Sequence, residues 1–452
     1  MPGKKRHTAG TRPQRGVATL IVVMVLFFIA TMVAAYASRN IVFEQRTGAN
    51  YQRATSAQEV AEAGLQWAVA QLNAGRIDDN CAPSAAGTDP SFRQRYLIVD
   101  DATGGLQRRN HEPTPGTLVP LTPTCQFDPD TQTWVCACPR NSAPALTPST
   151  SARVAPAFRV SFGDDIGLQP GLIRLNVTAC TRLSDDCLNP DAVGVANEGR
   201  AAASTLVYLG ALSTPVPQAA LIARGSVTAT NLTVSNSRIG GSGITVQAGG
   251  TVGTGVALNT LAGNALGGLG TTLQGDAALG GLADLDGAVE VSARDRFFGL
   301  VFNTLPATAR NQPAMLRLGD CGGGCDELDL AAAVGANPGR PVWVTGDLAI
   351  DTGVTIGSPT EPVLLVIDGG DLQISASDAV IHGLVFVRPV GADSTVPGTG
   401  RVIGALVVDG NLTGSSTDFG IEYDGDVVKA ARLRTGSFIT VPGAWRDSLR
   451  SP

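Results

Sequence analysis

The chain has 452 residues, a formal net charge of −6, 43% hydrophobic residues and only 16% charged ones. This length holds two or three domains, and the charged fraction falls well below the roughly 25% of ordinary soluble domains. Of 33 basic residues only Lys4, Lys5 and Lys429 are lysines, none in a Gly-Lys-Ser/Thr ending, and His is limited to His7, His111 and His382, which argues against nucleic acid as a partner, a P-loop nucleotide site and zinc or general-base chemistry; no cofactor is expected.

Residues 1–15 carry Lys4, Lys5, Arg6, Arg12 and Arg15 and no acid, and residues 16–38 carry no charge at all. Twenty-three helical residues span about 35 Å, enough for the roughly 30 Å hydrocarbon core. Eleven of the 23 are Val, Leu, Ile or Phe, so insertion is favourable by several kcal/mol, and the positive charges place the preceding residues in the cytoplasm and everything after Arg39 outside. A secretory signal has an apolar core of only about 7–15 residues, although Ala34, Ala35 and Ala37 imitate its cleavage site.

Residues 40–74 contain no Pro, and Ala54, Ala57, Ala61, Leu65, Ala68 and Leu72 recur at three- and four-residue steps. That spacing predicts one helical face and a single helix over 17–74, with Gly75 as its C-cap and Gly48 as a weak point inside. The first half lies in lipid and the second packs on a domain outside.

The basic leader, Arg15-Gly16 and the run RGVATLIVVMVLFFIATMVAA resemble a type IV prepilin signal. The continuation AEAGLQWAVAQL resembles the PilX family of type IV pilus minor pilins. The resemblance implies cleavage by prepilin peptidase between Gly16 and Val17, leaving the apolar helix in place. Most pilins carry Glu at the fifth mature position, where this chain has Ile21. That Glu is thought to neutralise the neighbouring subunit's terminal ammonium. A subunit added first has no neighbour ahead of it to neutralise, so Ile21 favours an initiating or tip subunit. K-type pseudopilins of type II secretion resemble the chain in the same respect.

Residues 81–150 hold ten Pro and read as a loop-rich region tied by disulfides. The eight cysteines, Cys81, Cys125, Cys136, Cys138, Cys180, Cys187, Cys321 and Cys325, all lie beyond the apolar run. An even count on that side points to disulfides in an oxidising compartment. Cys136 and Cys138 are expected to take different partners. The runs RVAPAFRVSF, LIRLNVTAC and AAASTLVYLGAL within 153–212 alternate as half-buried strands do. With the second half of the helix they make a pilin-like α+β module, an inference that combines pattern and family analogy.

From residue 220 the texture changes, with sixteen Gly within 225–287 between short β-branched runs; residues 250–288 are the least ordered by pattern. VTGDLAI (344–350), DGGDLQI (368–374) and VDGNLTG (408–414) each place Gly-Asp/Asn-Leu after an apolar run. Such recurrence predicts a small stack of about three β-solenoid coils whose Leu points inward. VLLVID, AVIHGLVFV and RVIGALVV are its buried parallel strands. The closing ITVPGAWRDSL looks like the end of many PilX-type proteins.

Chemical motifs are sparse. Asp347, Asp368, Asp371 and Asp409 fall in turns, where Asp serves backbone hydrogen bonds. Asp284 and Asp286 in ADLDGAVE lack the other ligands of a calcium loop. Cys321-Gly-Gly-Gly-Cys325 reads as a small disulfide loop, and His382 as a satisfied strand residue. No enzymatic activity is expected.

The reading is therefore an α+β chain: a long N-terminal transmembrane helix, then a β-rich region that is solenoid-like toward its C-terminal part. Its divisions are leader 1–16, membrane half of the helix 17–38, periplasmic half 39–75, Pro-rich disulfide-bearing module 76–220, and Gly-rich region 221–452 with the solenoid at 340–430. The resemblance implies a minor pilin of the inner membrane and pilus, acting in assembly initiation or at the tip, with prepilin peptidase, other minor pilins and a large adhesin as partners. The alternatives are a K-type pseudopilin, whose insert is helix-rich, and a membrane-anchored β-solenoid adhesin or carbohydrate-active enzyme.

Overall fold

The computed structural model describes residues 15–101, 103–142, 146–149, 154–163, 169–183, 199–212, 217–238, 243–260, 271–282, 291–319 and 324–447. One helix runs unbroken from Arg15 to Leu72, a length of about 87 Å. From Thr19 through Thr55 every residue is exposed. Beyond that, Ala57, Ala61, Leu65, Ala68 and Leu72 are buried, while Ala54, expected on the same face, is exposed.

That buried face lies on strands Ala157–Gly163, Leu172–Cys180 and Arg200–Ala211. Gly64 makes the close approach: a Cβ there would stand 2.8 Å from Val177 Cγ1 and 3.0 Å from Phe158 Cδ2. Trp67 beside it meets Phe92 and Phe158 edge-on, a favoured aromatic geometry. The sheet is antiparallel and six-stranded, in the order Gly436–Thr440, Arg200–Ala211, Leu172–Cys180, Ala157–Gly163, Thr124–Asp128, Thr133–Ala137. Disulfides Cys81–Cys138 and Cys125–Cys136 tie its Pro-rich side, so Cys136 and Cys138 bond different partners.

The first strand of that sheet, Gly436–Thr440, comes from the far end of the chain. The sequence reading runs the Gly-rich region to 452, but this strand returns to pair with Arg200–Ala211. The second body is thus inserted between two neighbouring strands of the first.

The inserted body is a parallel stack, and it is larger than the three coils expected at 340–430. One ladder runs Leu316–Leu318, Val342–Thr345, Val363–Asp368, Val380–Arg388, Arg401–Val408, Leu221–Ala223, Val246–Ala248, Thr272–Leu273. A second runs from Arg401–Val408 through Ser415–Tyr423 and Thr230–Asn236 to Val256–Thr260. The chain therefore enters mid-stack, winds outward over 221–273, reappears at the opposite end at 316, and winds back until 401–423 meets 221–236. Strands buried on both sides are continuous apolar runs: Leu364 through Ile367 and Val385 through Val387 are fully buried.

The recurrent Gly-Asp/Asn-Leu turns superpose in this stack. Leu348, Leu372 and Leu412 are all fully buried, and Gly346 and Gly369 take φ of +94° and +76°, which glycine adopts without a Cβ clash. The turn carboxylates and amides bond from coil to coil. Asp347 accepts from the Asp371 N–H at 2.9 Å, Asp371 accepts from Ser394 Oγ at 2.8 Å, and Asn411 Oδ1 accepts from the Ser226 N–H at 2.8 Å.

Asp409 behaves differently from the turn residue it was expected to be. It is fully buried and paired with Arg224 at 2.6 Å, Arg294 at 2.9 Å and Arg388 at 3.5 Å. His382 also differs from expectation: its Nδ1 is buried with no partner, and burial holds the imidazole below its usual pKa. Phe297, Phe298 and Phe302 of the helix Ala293–Phe302 cover the outside of the stack against Phe386 and Trp343.

Candidate assembly interface

The exposed half of the long helix is the feature with no partner in the fold. Its most apolar window has mean hydropathy 2.7 and none of it is buried. Large side chains point outward on every side, including Leu20, Phe27, Phe28 and Phe43. A helix apolar all round needs lipid or other helices about it. Two of its hydroxyls are satisfied within the helix: Thr31 Oγ1 donates to Phe28 O at 2.8 Å and Ser38 Oγ to Ala35 O at 2.9 Å, which lowers the cost of carrying them into hydrocarbon.

Ile21, where most pilins carry Glu, is 55% exposed on this surface. Gly16 and Val17 fall in the first turn of the helix. The leader residues 1–14 lie outside the described residues, as do Cys187, Cys321, Asp284 and Asp286. Cys180 and Cys325 are disulfide-bonded.

Where the helix joins the body, its end is fixed by groups that periodicity does not reveal. Asn73 Nδ2 donates to Phe438 O at 2.8 Å, and the Phe438 N–H donates to Asn73 Oδ1 at 2.8 Å. Arg93 Nε donates to Leu72 O at 2.9 Å, and its Nη1 to Gly339 O at 2.8 Å and Gly436 O at 3.1 Å. One guanidinium thereby links the helix, the stack and the returning strand. Gly75 is not a left-handed cap; a Cβ there would stand 2.5 Å from Ala336 O, so it serves close approach to the stack. Beside the junction a groove of about 1040 Å³ runs along Glu62, Leu65, Val69, Pro442 and Trp445, so the closing ITVPGAW segment borders the helix.

These features define a protein anchored by a single apolar helix that projects from a β-rich body. Residues 15–66 match the family model described as PilX N-terminal, which makes this segment type IV pilin-like. The match covers the helix and none of the β-rich body. Among solved structures, the competence-associated pilin ComZ from Thermus thermophilus is similar at 12% identity, covering 88% of this chain and 98% of that one with a TM-score of 0.18; a likeness of that size carries no argument. No curated protein matches the chain.

Proposed function

We propose that the chain is a minor pilin of a type IV pilus. The observation that carries this reading is the exposed helix, uncharged up to Ser38, with Ile21 in place of Glu, within the segment that matches PilX N-terminal. Prepilin peptidase cuts between Gly16 and Val17. The helix holds the chain in the inner membrane, with its start cytoplasmic and the β-rich body outside. On assembly it exchanges lipid for packing against other pilin helices. A subunit lacking the Glu sits in the initiation complex or at the tip, and the body presents a surface to other minor pilins or an adhesin. Its work is assembly rather than catalysis. The strand-rich body supports this reading over a K-type pseudopilin.

The test is N-terminal sequencing of the membrane form, combined with deletion. A mature chain starting at Val17, a Gly16→Leu chain that stays uncut, and fewer surface pili on deletion are the expected results. A chain released into solution after cutting near Ala37, or unchanged pili on deletion, would overturn the reading.

A further inference from the structure

A cleft of about 670 Å³ opens at the seam between the stack and the antiparallel sheet. Six arginines line it: Arg76, Arg93, Arg95, Arg109, Arg140 and Arg434. Glu361 is the single carboxylate among the lining residues. In a chain with a net charge of −6, this seam concentrates the opposite sign.

Part of that charge is matched from outside the lining. Asp79 pairs with Arg95 at 2.9 Å and Arg140 at 3.0 Å, Asp89 pairs with Arg140, and Asp101 with Arg434 at 2.6 Å. The Arg140 hydrogen bond holds the Asp79 carboxyl below its ordinary pKa, so this pairing is charged at neutral pH.

Among the described residues, three of these guanidiniums have no carboxylate partner. Arg76 donates to Gly335 O at 2.6 Å and Asp89 O at 2.5 Å, and Arg109 to Gln94 O at 2.7 Å and Leu97 O at 3.2 Å. Arg93 donates to the three carbonyls described above and lies over the Phe438 ring, 5.1 Å from its centroid. It is 6% exposed, and its Nη2 has no partner. Burial and the nearby Arg340 pull its pKa down to about 9, the mark of a cation held without a counter-charge. Carbonyls satisfy donors but leave the net charge in place, and a guanidinium fork matches carboxylate and phosphate oxygens.

The remaining lining suits the body of a small molecule. Leu97, Val99, Leu209 and Pro362 give apolar surface, and Gln94 and Thr360 give polar contacts. The volume falls in the usual range for small-molecule sites. Glu361 is exposed and accepts from Gln94 Nε2 at 2.5 Å, on the same lining as Arg109, which donates to Gln94 O.

We propose that this cleft binds a small molecule bearing a carboxylate or phosphate on a partly apolar body, with Arg76 and Arg109 gripping the anion and Arg93 supplying charge behind them. Because the walls come from both bodies, the ligand ties the stack to the sheet and raises the stability of the whole chain. This site is independent of pilus assembly and of cleavage at Gly16.

The test uses the full chain in detergent micelles with three probes: phenylacetate, phenyl phosphate and neutral benzyl alcohol. Calorimetric binding of one or both anions, with a raised Tm and no response to benzyl alcohol, is expected; which anion responds separates a carboxylate source from a phosphate source. Arg76→Gln with Arg109→Gln should weaken binding about tenfold or more, in line with loss of charge-assisted bonds, while the remote Arg317→Gln leaves it unchanged. Glu361→Gln removes a like charge from an exposed position and should tighten binding about two- to fivefold, a readout that does not depend on the double variant folding. Failure of both anions to bind, equal binding of benzyl alcohol, or indifference of affinity to Glu361→Gln would overturn the proposal.

Discussion

Asn73 shows how a single side chain closes a helix on a strand 365 positions away. Its amide satisfies both main-chain groups of Phe438, which is itself 2% exposed. Asn73→Ala leaves that N–H and C=O buried and unpaired, and should cost about 2–3 kcal/mol, read by denaturant unfolding, with faster hydrogen exchange at the Phe438 amide. Nothing in the local sequence announces this role. An Asn after a helix resembles any cap, and its partner becomes visible only when the distant strand folds back. Asp409 was misread for the same reason. Its turn setting resembles that of Asp347, but Arg224 and Arg294 converge on it from segments 185 and 115 positions away.

At the scale of elements, the long helix was legible because its two halves leave different marks. The uncharged run marks the exposed apolar half, and the Ala/Leu spacing the packed half. Its glycines could not be ranked from the sequence, because their difference lies in what surrounds them. Gly48 has nothing within 4 Å, whereas Gly64 sits against Val177 and Phe158. Gly64→Val should therefore destabilise the body by about 1–3 kcal/mol through overpacking, seen as a lower Tm. Gly48→Ala should instead strengthen the exposed helix by up to about 1 kcal/mol, seen as slower hydrogen exchange around residue 48. Three strands of the antiparallel sheet and the long strands of the stack were also legible, alternation marking those with one buried face and continuous apolar runs those with two, whereas Thr124–Asp128 and Thr133–Ala137 fall in the stretch that reads as loop-rich, and Gly436–Thr440 carries no strand signal of its own. The coils at 221–273 were missed as solenoid because their strands are short and separated by Gly-rich turns, so no long apolar run marks them.

For the molecule as a whole, the arrangement of coils matters more than their number. The two arms of the stack meet where 401–423 packs beside 221–236, and Asp409 locks that meeting point by pairing with Arg224 of the first arm and Arg388 of the second. Asp409→Asn leaves arginines facing one another with their shared buried counter-ion gone. A loss of about 3 kcal/mol is expected, measured by thermal unfolding, with early hydrogen exchange in both 221–223 and 405–408 rather than in one arm alone. The order of the arms could not be foreseen, since parallel recurrence signals coils but does not say which neighbours which.

This meeting point dictates a schedule for the newly made polypeptide. Residues 221–236 emerge from synthesis long before 401–423 do, and until then their strand edge is a bare template for misplaced pairing. The join spans about 185 positions, so it is closed late and slowly. Truncation between residues 388 and 401 therefore leaves not a shorter solenoid but two raw arms, whose open edges invite aggregation.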